Sequence, residues 1–262
     1  MNVVSFERDG KVGSIVLSNP PHNWLSGQLV DDLAGAVHRA GESDIRALLI
    51  RADGPTFSDG AAVFDWRPEE DRHWSRTFIG KLNTSFRSIE ALPIPVISAV
   101  RGAAAGGGFE LALSADLIVA SESATFICVE TTTGMVPLAG AVQRIAAAAG
   151  PFHAARIAML SQPVTAAEAA ELNLVTEAVP DEELEKTATD LAQRLAEGPT
   201  RAYAAIKALV KAQAVGVAAA DVLMLDLTMG LYETTDAHNA IPKVGAVLAE
   251  GKPLPNVKFI GS

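Results

Sequence analysis

This sequence predicts an α/β core followed by an all-helical C-terminal part, and three observations support that class. Short β-type runs alternate with helical patterns as far as residue 179, and from residue 181 onward the periodicity is helical throughout. Apolar residues make up 49% and charged residues 20% of the 262, enough for a sizeable core and too apolar for a disordered chain. At ~150 residues per domain the length gives no firm count, because α/β folds often reach this size as one unit. The division expected is an α/β core at residues 1–198 and a helical region at residues 199–262.

Residues 3–6 and 12–17 are β-type runs around Asp9-Gly10, a hairpin signal. Leu25, Leu29, Leu33 and Val37 recur with helical spacing, and Gly41 follows as a C-cap. Residues 47–50 read as a buried strand ending in Asp53-Gly54-Pro55. Residues 65–77 are the most charged and least periodic stretch, expected to be a mobile surface segment, with a helix over residues 78–92. Residues 95–100 are a strand, 102–108 a small-residue loop and 109–113 the start of a helix. Two more strands are expected at 116–120 and 124–129, then helices at 139–149 and 152–160. Thr165 with Glu168 forms a capping box opening a helix to Glu171, ahead of a strand at 174–179. The later helices break at Gly198-Pro199 and around Val215-Gly216. The stripe Val222, Leu223, Leu225, Leu227, Met229 and Leu231 is expected to be core, the alternative being an oligomer interface.

A formal charge of −10 argues against a general binder of nucleic acid or of anionic membranes. An anionic ligand would have to be held by local Lys or Arg, or by backbone amides. The single cysteine, Cys128, makes no internal disulfide and excludes a Cys-rich zinc site. The five histidines (22, 38, 73, 153 and 238) form no H-x-x-x-H or H-E-x-x-H spacing, so no metal site is expected. Neither a G-x-S-x-G elbow nor a Walker A sequence is present. The first residues, with Glu7, Arg8, Asp9 and Lys11, do not read as a leader. The most hydrophobic runs, 91–100 and 111–120, fall short of the ~18–20 residues of a spanning helix. A soluble, cytoplasmic protein is expected.

The sharpest local feature is Arg101-Gly102-Ala-Ala-Ala-Gly106-Gly107-Gly108-Phe109-Glu110, directly after a buried strand. Small residues permit close backbone approach, and free N–H groups at the opening of a helix can hold an anion or a developing oxyanion. As a dinucleotide fingerprint the stretch is incomplete, since the third glycine would fall at Leu111. A purely structural glycine turn is the plain alternative. Glu110 stands in the apolar context Phe109-Glu-Leu-Ala-Leu, where desolvation raises a carboxyl group toward acid/base values. Alone, it reads first as a glutamate satisfying a helix N-terminus. Glu130 follows a buried strand and precedes Thr131-Thr-Thr-Gly134, the position of a catalytic group or of an ordinary turn cap. The loop Thr56-Phe-Ser-Asp-Gly-Ala-Ala62 again offers small residues with free amides.

Taken in order, these segments resemble the enoyl-CoA hydratase/isomerase (crotonase) family over most of the chain. The carriers are Asn19-Pro-Pro-His-Asn23, Phe57-Ser-Asp-Gly-Ala61, Pro95-Val-Ile-Ser-Ala-Val-Arg-Gly102 and Ala105-Gly-Gly-Gly-Phe-Glu-Leu-Ala112. They continue with Asp116-Leu-Ile-Val-Ala-Ser-Glu-Ser-Ala-Thr-Phe126, Gly134-Met-Val-Pro137, Gln143-Arg144 and Thr165-Ala-Ala-Glu-Ala169. The resemblance implies a crotonase-like spiral of ββα units with a helical C-terminal trimerisation region, assembled as a homotrimer or a homohexamer. It implies an acyl-CoA substrate and no cofactor, coenzyme A entering only as part of the substrate. The amides of Ala61 and Gly107 would form the oxyanion hole for a thioester enolate. Glu110 and Glu130 would handle the water added to an enoyl-CoA. Asp59, Gly60, Ala62, Val63, Gly106 and Pro137 would line the substrate.

The chain departs from the family pattern in places. Ala62 stands where a loop-fixing aspartate is usual, Asp59 where a small residue is common, and Leu138 where glycine is common. Phe64, Asp65 and Trp66 occupy the place of expected CoA-phosphate lysines, leaving Lys207, Lys252 and Lys258 as candidates for that role. Hydration of a 2-enoyl-CoA is therefore expected, with another crotonase-type reaction or non-catalytic acyl-CoA binding as alternatives.

Overall fold

The computed structural model describes residues 2–65, 72–213 and 216–262. The hairpin expected around Asp9-Gly10 forms β1 (Val4–Asp9) and β2 (Val12–Leu17), paired antiparallel. Helix α1 (Gly27–Gly41) follows, its first turn capped by Ser26, whose Oγ accepts from Leu29 N at 3.2 Å. Leu29, Val30, Leu33, Ala36, Val37 and Ala40 form its buried stripe. Then come β3 (Ala47–Ala52), α2 (Arg72–Ala91), β4 (Val96–Val100), β5 (Ala103–Ala105), α3 (Gly107–Ala112), β6 (Leu117–Ser121) and β7 (Thr125–Ile127). They are followed by α4 (Ala141–Ala149), α5 (Pro151–Leu160), β8 (Val164–Thr165), α6 (Ala166–Glu171), β9 (Glu177–Val179) and α7 (Leu184–Ala196). The chain ends in α8 (Thr200–Gln213), α9 (Val217–Tyr232) and α10 (Thr235–Ala249).

The main sheet has six strands in the order β1-β2-β3-β4-β6-β9, parallel beyond the first hairpin. Its central strand β4 is buried along its whole length, as a parallel strand covered on both faces must be. Alternation divides the two faces. Leu48 and Ile50 of β3 join the core shared with α1, α2 and α3, whereas Ala47 and Leu49 pack against Leu184, Ala188, Ala192 and Ala196 of α7. A second, three-stranded sheet, β5-β7-β8, lies beside α3.

Several expectations need correction. The segment expected to be mobile at 65–77 is helical from Arg72 onward, because Phe78, Leu82, Phe86 and Ile89 anchor one face of a single long α2; residues 66–71 lie outside the described residues. The small-residue loop at 102–108 contains β5, whose alanines pair with Thr125, Phe126 and Ile127. The strand expected from 174 begins only at Glu177. Thr165 caps α6 by accepting from Glu168 N at 3.2 Å, but the Glu168 side chain pairs with Arg156 instead of closing the box. The stripe on α9 is not core within one chain. Val222 is 70% and Leu225 63% exposed, and among the described residues of that helix only Ala220 is buried.

Candidate active site

Two loops meet at one end of the main sheet. Phe57 N donates to Arg101 O at 2.8 Å, Ser58 N to Ala103 O at 3.1 Å and Ala105 N back to Ser58 O at 2.9 Å. This stitching lays residues 57–62 along β5. Gly60, at φ +86°, completes it: a Cβ there would stand 2.6 Å from Ala105 O and 3.4 Å from Gly107 N. The Ala61 and Gly107 amides, expected to work together, therefore sit side by side. Neither donates a backbone hydrogen bond to another described residue. Gly106 turns the chain between them at φ 50°, ψ −121°, donating to Ile127 O at 2.8 Å.

The segment ending at Leu25 backs the first loop. Leu25 N donates to Gly60 O at 2.8 Å, and Ala62 N to Leu25 O at 3.3 Å. Asn23, fully buried, donates through Nδ2 to Asp53 O and Thr56 O. Asp59 turns away from the glycine loop: its Oδ2 lies 2.6 Å from Nδ1 of His22, and its N–H donates to His22 O at 2.9 Å. The His22 ring stacks on Trp24, which meets Phe64 edge-on. Ala62 is buried, Val63 is exposed beside the loop, and Pro137 is half-buried on the segment leading to α4.

Glu110 is 1% exposed on α3. Its Oε1 accepts from Ala139 N at 2.6 Å and from Ala141 N at 3.1 Å. Burial raises its pKa, while those amides and Arg144 act the other way. Glu130 opens a 3-10 turn, Glu130–Thr133, two residues beyond Cys128. Its Oε1 lies beside Gly106, where a Cβ would stand 3.1 Å away. Its Oε2 is buried without a hydrogen-bond partner among the described residues. Burial, with the charge of Glu110 adding to it, pushes Glu130 up to about 7. The same surroundings push the Cys128 thiol up to about 12, so it stays protonated and unreactive.

All the expected site residues thus come from the two amide loops, α3, the 3-10 turn and the segment before α4. Lys207 does not join them. Its side chain is 10% exposed, paired with Asp116 at 2.7 Å and bonded to Ile94 O at 2.8 Å, so it braces β4 and β6. Lys252 pairs with Glu250 at the surface. Lys258 lines a cavity of about 780 Å³ with Arg46 and Arg194. The sequence does not single out His22, Asn83 and Arg144 as residues that support the site. His22 lies inside a motif recognised by its neighbours, and nothing local marks it as the partner of Asp59.

A spiral α/β core in which two loops present free amides beside the buried Glu110 and the half-buried Glu130 can stabilise negative charge developing on a carbonyl oxygen. The family model for enoyl-CoA hydratase/isomerase matches residues 7–246. The chain belongs to that family. It is 32% identical over 207 residues to a probable enoyl-CoA hydratase of Rhodobacter capsulatus, covering 79% of this chain and 80% of the relative. It is 31% identical over 198 residues to the short-chain-enoyl-CoA hydratase of Clostridium acetobutylicum, covering 74% and 76%. Among solved structures, enoyl-CoA hydratase from Bacillus anthracis superposes with a TM-score of 0.88 at 27% identity, covering 99% of this chain and all of that one.

Proposed function

We propose that the protein hydrates a 2-enoyl-CoA reversibly to a 3-hydroxyacyl-CoA. The observation that carries this reading is the pairing of Glu110 and Glu130: two carboxyl groups whose charges couple, one held by two amides and the other with an unsatisfied oxygen. Burial, with the Glu110 charge adding to it, keeps a proton on Glu130, and at Glu110 the amide donors and Arg144 offset part of what burial does. Glu110 takes a proton from water as the water oxygen bonds to the β-carbon. The π electrons shift onto the thioester oxygen, held by the Ala61 and Gly107 amides, and the Glu130 proton passes to the α-carbon. Losing one such oxyanion donor costs ~3–4 kcal/mol of barrier in comparable sites. The reaction needs no cofactor beyond the coenzyme A of its substrate.

The test is incubation with crotonyl-CoA and a longer 2-enoyl-CoA, following loss of the conjugated thioester absorbance and a mass gain of one water. Conversion abolished by Glu130→Gln supports the reading. Saturable binding without conversion moves it to another reaction of the family or to binding alone.

A second reading has its own support. With Oε1 of Glu110 already occupied by two amides, Glu130 is the carboxyl group with a free oxygen, and one such group suffices to move a proton in double-bond isomerisation. Isomerisation of a 3-enoyl-CoA that survives Glu110→Gln would favour it.

We infer further that the exposed apolar face of α9 is covered by copies of the same chain, as in a homotrimer or homohexamer. Among the described residues no helix is long and apolar enough to cross a membrane, and a cytoplasmic location accords with that reading.

A further inference from the structure

We propose that Asn83, on α2, is a positioning residue for Glu110, holding the peptide whose N–H binds its carboxylate. Asn83 Nδ2 donates to Leu138 O at 2.7 Å. The N–H of that same peptide, Ala139 N, donates to Glu110 Oε1 at 2.6 Å. In a trans peptide the C=O and N–H lie in one plane and point in opposite directions, so fixing the carbonyl aims the amide. The next carbonyl is held in the same way: Arg144 Nη1 donates to Ala139 O at 2.6 Å, and Arg144 Nε is held by Glu90 Oε1 at 2.7 Å. Asn83 and Glu90 stand seven residues apart on one face of α2, so a single helix braces two successive peptides. The orientation of the Asn83 amide is fixed by its partners. It also bonds Ile79 O at 3.0 Å, and with two carbonyl acceptors the nitrogen must face both.

Asn83 carries no charge, so any effect it has on Glu110 travels through this peptide. The charged and titratable groups facing Glu110 are Glu130 on the 3-10 turn, Cys128 after β7 and Arg144 on α4, with Glu90 of α2 behind Arg144. Replacing Asn83 alters none of them.

The kinetic arm of the test rests on the hydration reading above; the titration arm does not. Glu110 is titrated directly by carbon-13 NMR of glutamate-labelled protein, its signal assigned by Glu110→Gln, in the wild type, Asn83→Ala and Asn83→Leu. Two variants are used so that a folding failure of one leaves the other. The midpoint is expected to rise by roughly half to one pH unit, as when one hydrogen bond to a carboxylate weakens. In parallel, kcat for crotonyl-CoA should fall about 3- to 10-fold with KM within about twofold, corresponding to lost transition-state stabilisation. An unmoved midpoint in a folded variant overturns the proposal whatever the kinetics. A raised midpoint in a protein that hydrates no enoyl-CoA upholds the positioning role and overturns the hydration reading instead.

Discussion

Asp59 Oδ2 and His22 Nδ1 lie 2.6 Å apart, joining the residue before Gly60 to the segment that hydrogen-bonds the Gly60 carbonyl. Position 62 is a buried alanine that can make no side-chain tie, and the acid at position 59 supplies one. Leu25 N on Gly60 O sets the plane of the peptide that carries the Ala61 N–H. The Asp59–His22 bond closes the outer end of that pairing. Both side chains are partly in water, so the bond is worth little in stability. Asp59→Ala and His22→Ala are each expected to lower kcat by about 3- to 10-fold, less than the loss of a direct oxyanion donor. The double variant should be no worse than either single one. Multiplying effects in steady-state kinetics would mean that the two residues act separately.

The pH dependence follows from Glu130. On the hydration reading Glu130 must be protonated to donate, so kcat should fall as pH rises through about 7, and a kcat flat across that range would overturn its role as donor. Stability follows the same group. A carboxyl group whose pKa is raised from 4.5 to about 7 on folding contributes stability that is complete below 4.5. That contribution is lost as pH climbs to about 7, because over this range the unfolded chain releases a proton that the folded one retains. Glu130→Gln cannot ionise. Its thermal midpoint should therefore gain on the wild type as pH rises from below 4.5 to about 7, a gain absent if Glu130 titrates normally.

What the amino-acid sequence makes legible depends on distance along the chain. β4 and α1 can be read because burial on both faces and a 3.6-residue stripe are local patterns. Glu110 and Glu130 can be nominated for the same reason: each follows an apolar run. Their coupling cannot, since it depends on β5 and β7 pairing side by side. The Asp59–His22 bond spans 37 positions and the Asn83–Leu138 bond 55, and no periodicity encodes either. Lys207 misleads because a lysine's sequence context does not reveal the aspartate beneath it. The α9 stripe misleads because a run of apolar residues does not say whether anything covers it.

Val222, Leu225 and Met229 lie along that face at 70%, 63% and 57% exposure, a row of apolar side chains that suits the proposed contact with copies of the chain. Leu225→Asp combined with Val222→Asp is expected to lower the mass seen by light scattering toward that of one 27.3 kDa chain. An unchanged oligomer, or a wild type that is already monomeric, would show that α9 is not the interface.

Glu110 separates chemistry from architecture. Its Oε1 is the acceptor for two buried amides, so Glu110→Ala strands Ala139 N–H and Ala141 N–H at roughly 1–3 kcal/mol apiece. Glu110→Gln keeps an oxygen that can accept from both and should cost less than about 1.5 kcal/mol. On the hydration reading either variant removes the group that takes the proton from water and should lower turnover by about 10²-fold or more. The two should therefore be equally inactive yet differ in denaturant midpoint, with Glu110→Ala the weaker. Equal stabilities would mean that the segment at 138–141 is held by Asn83 and Arg144 without Glu110, and that the carboxylate takes its place on amides already fixed.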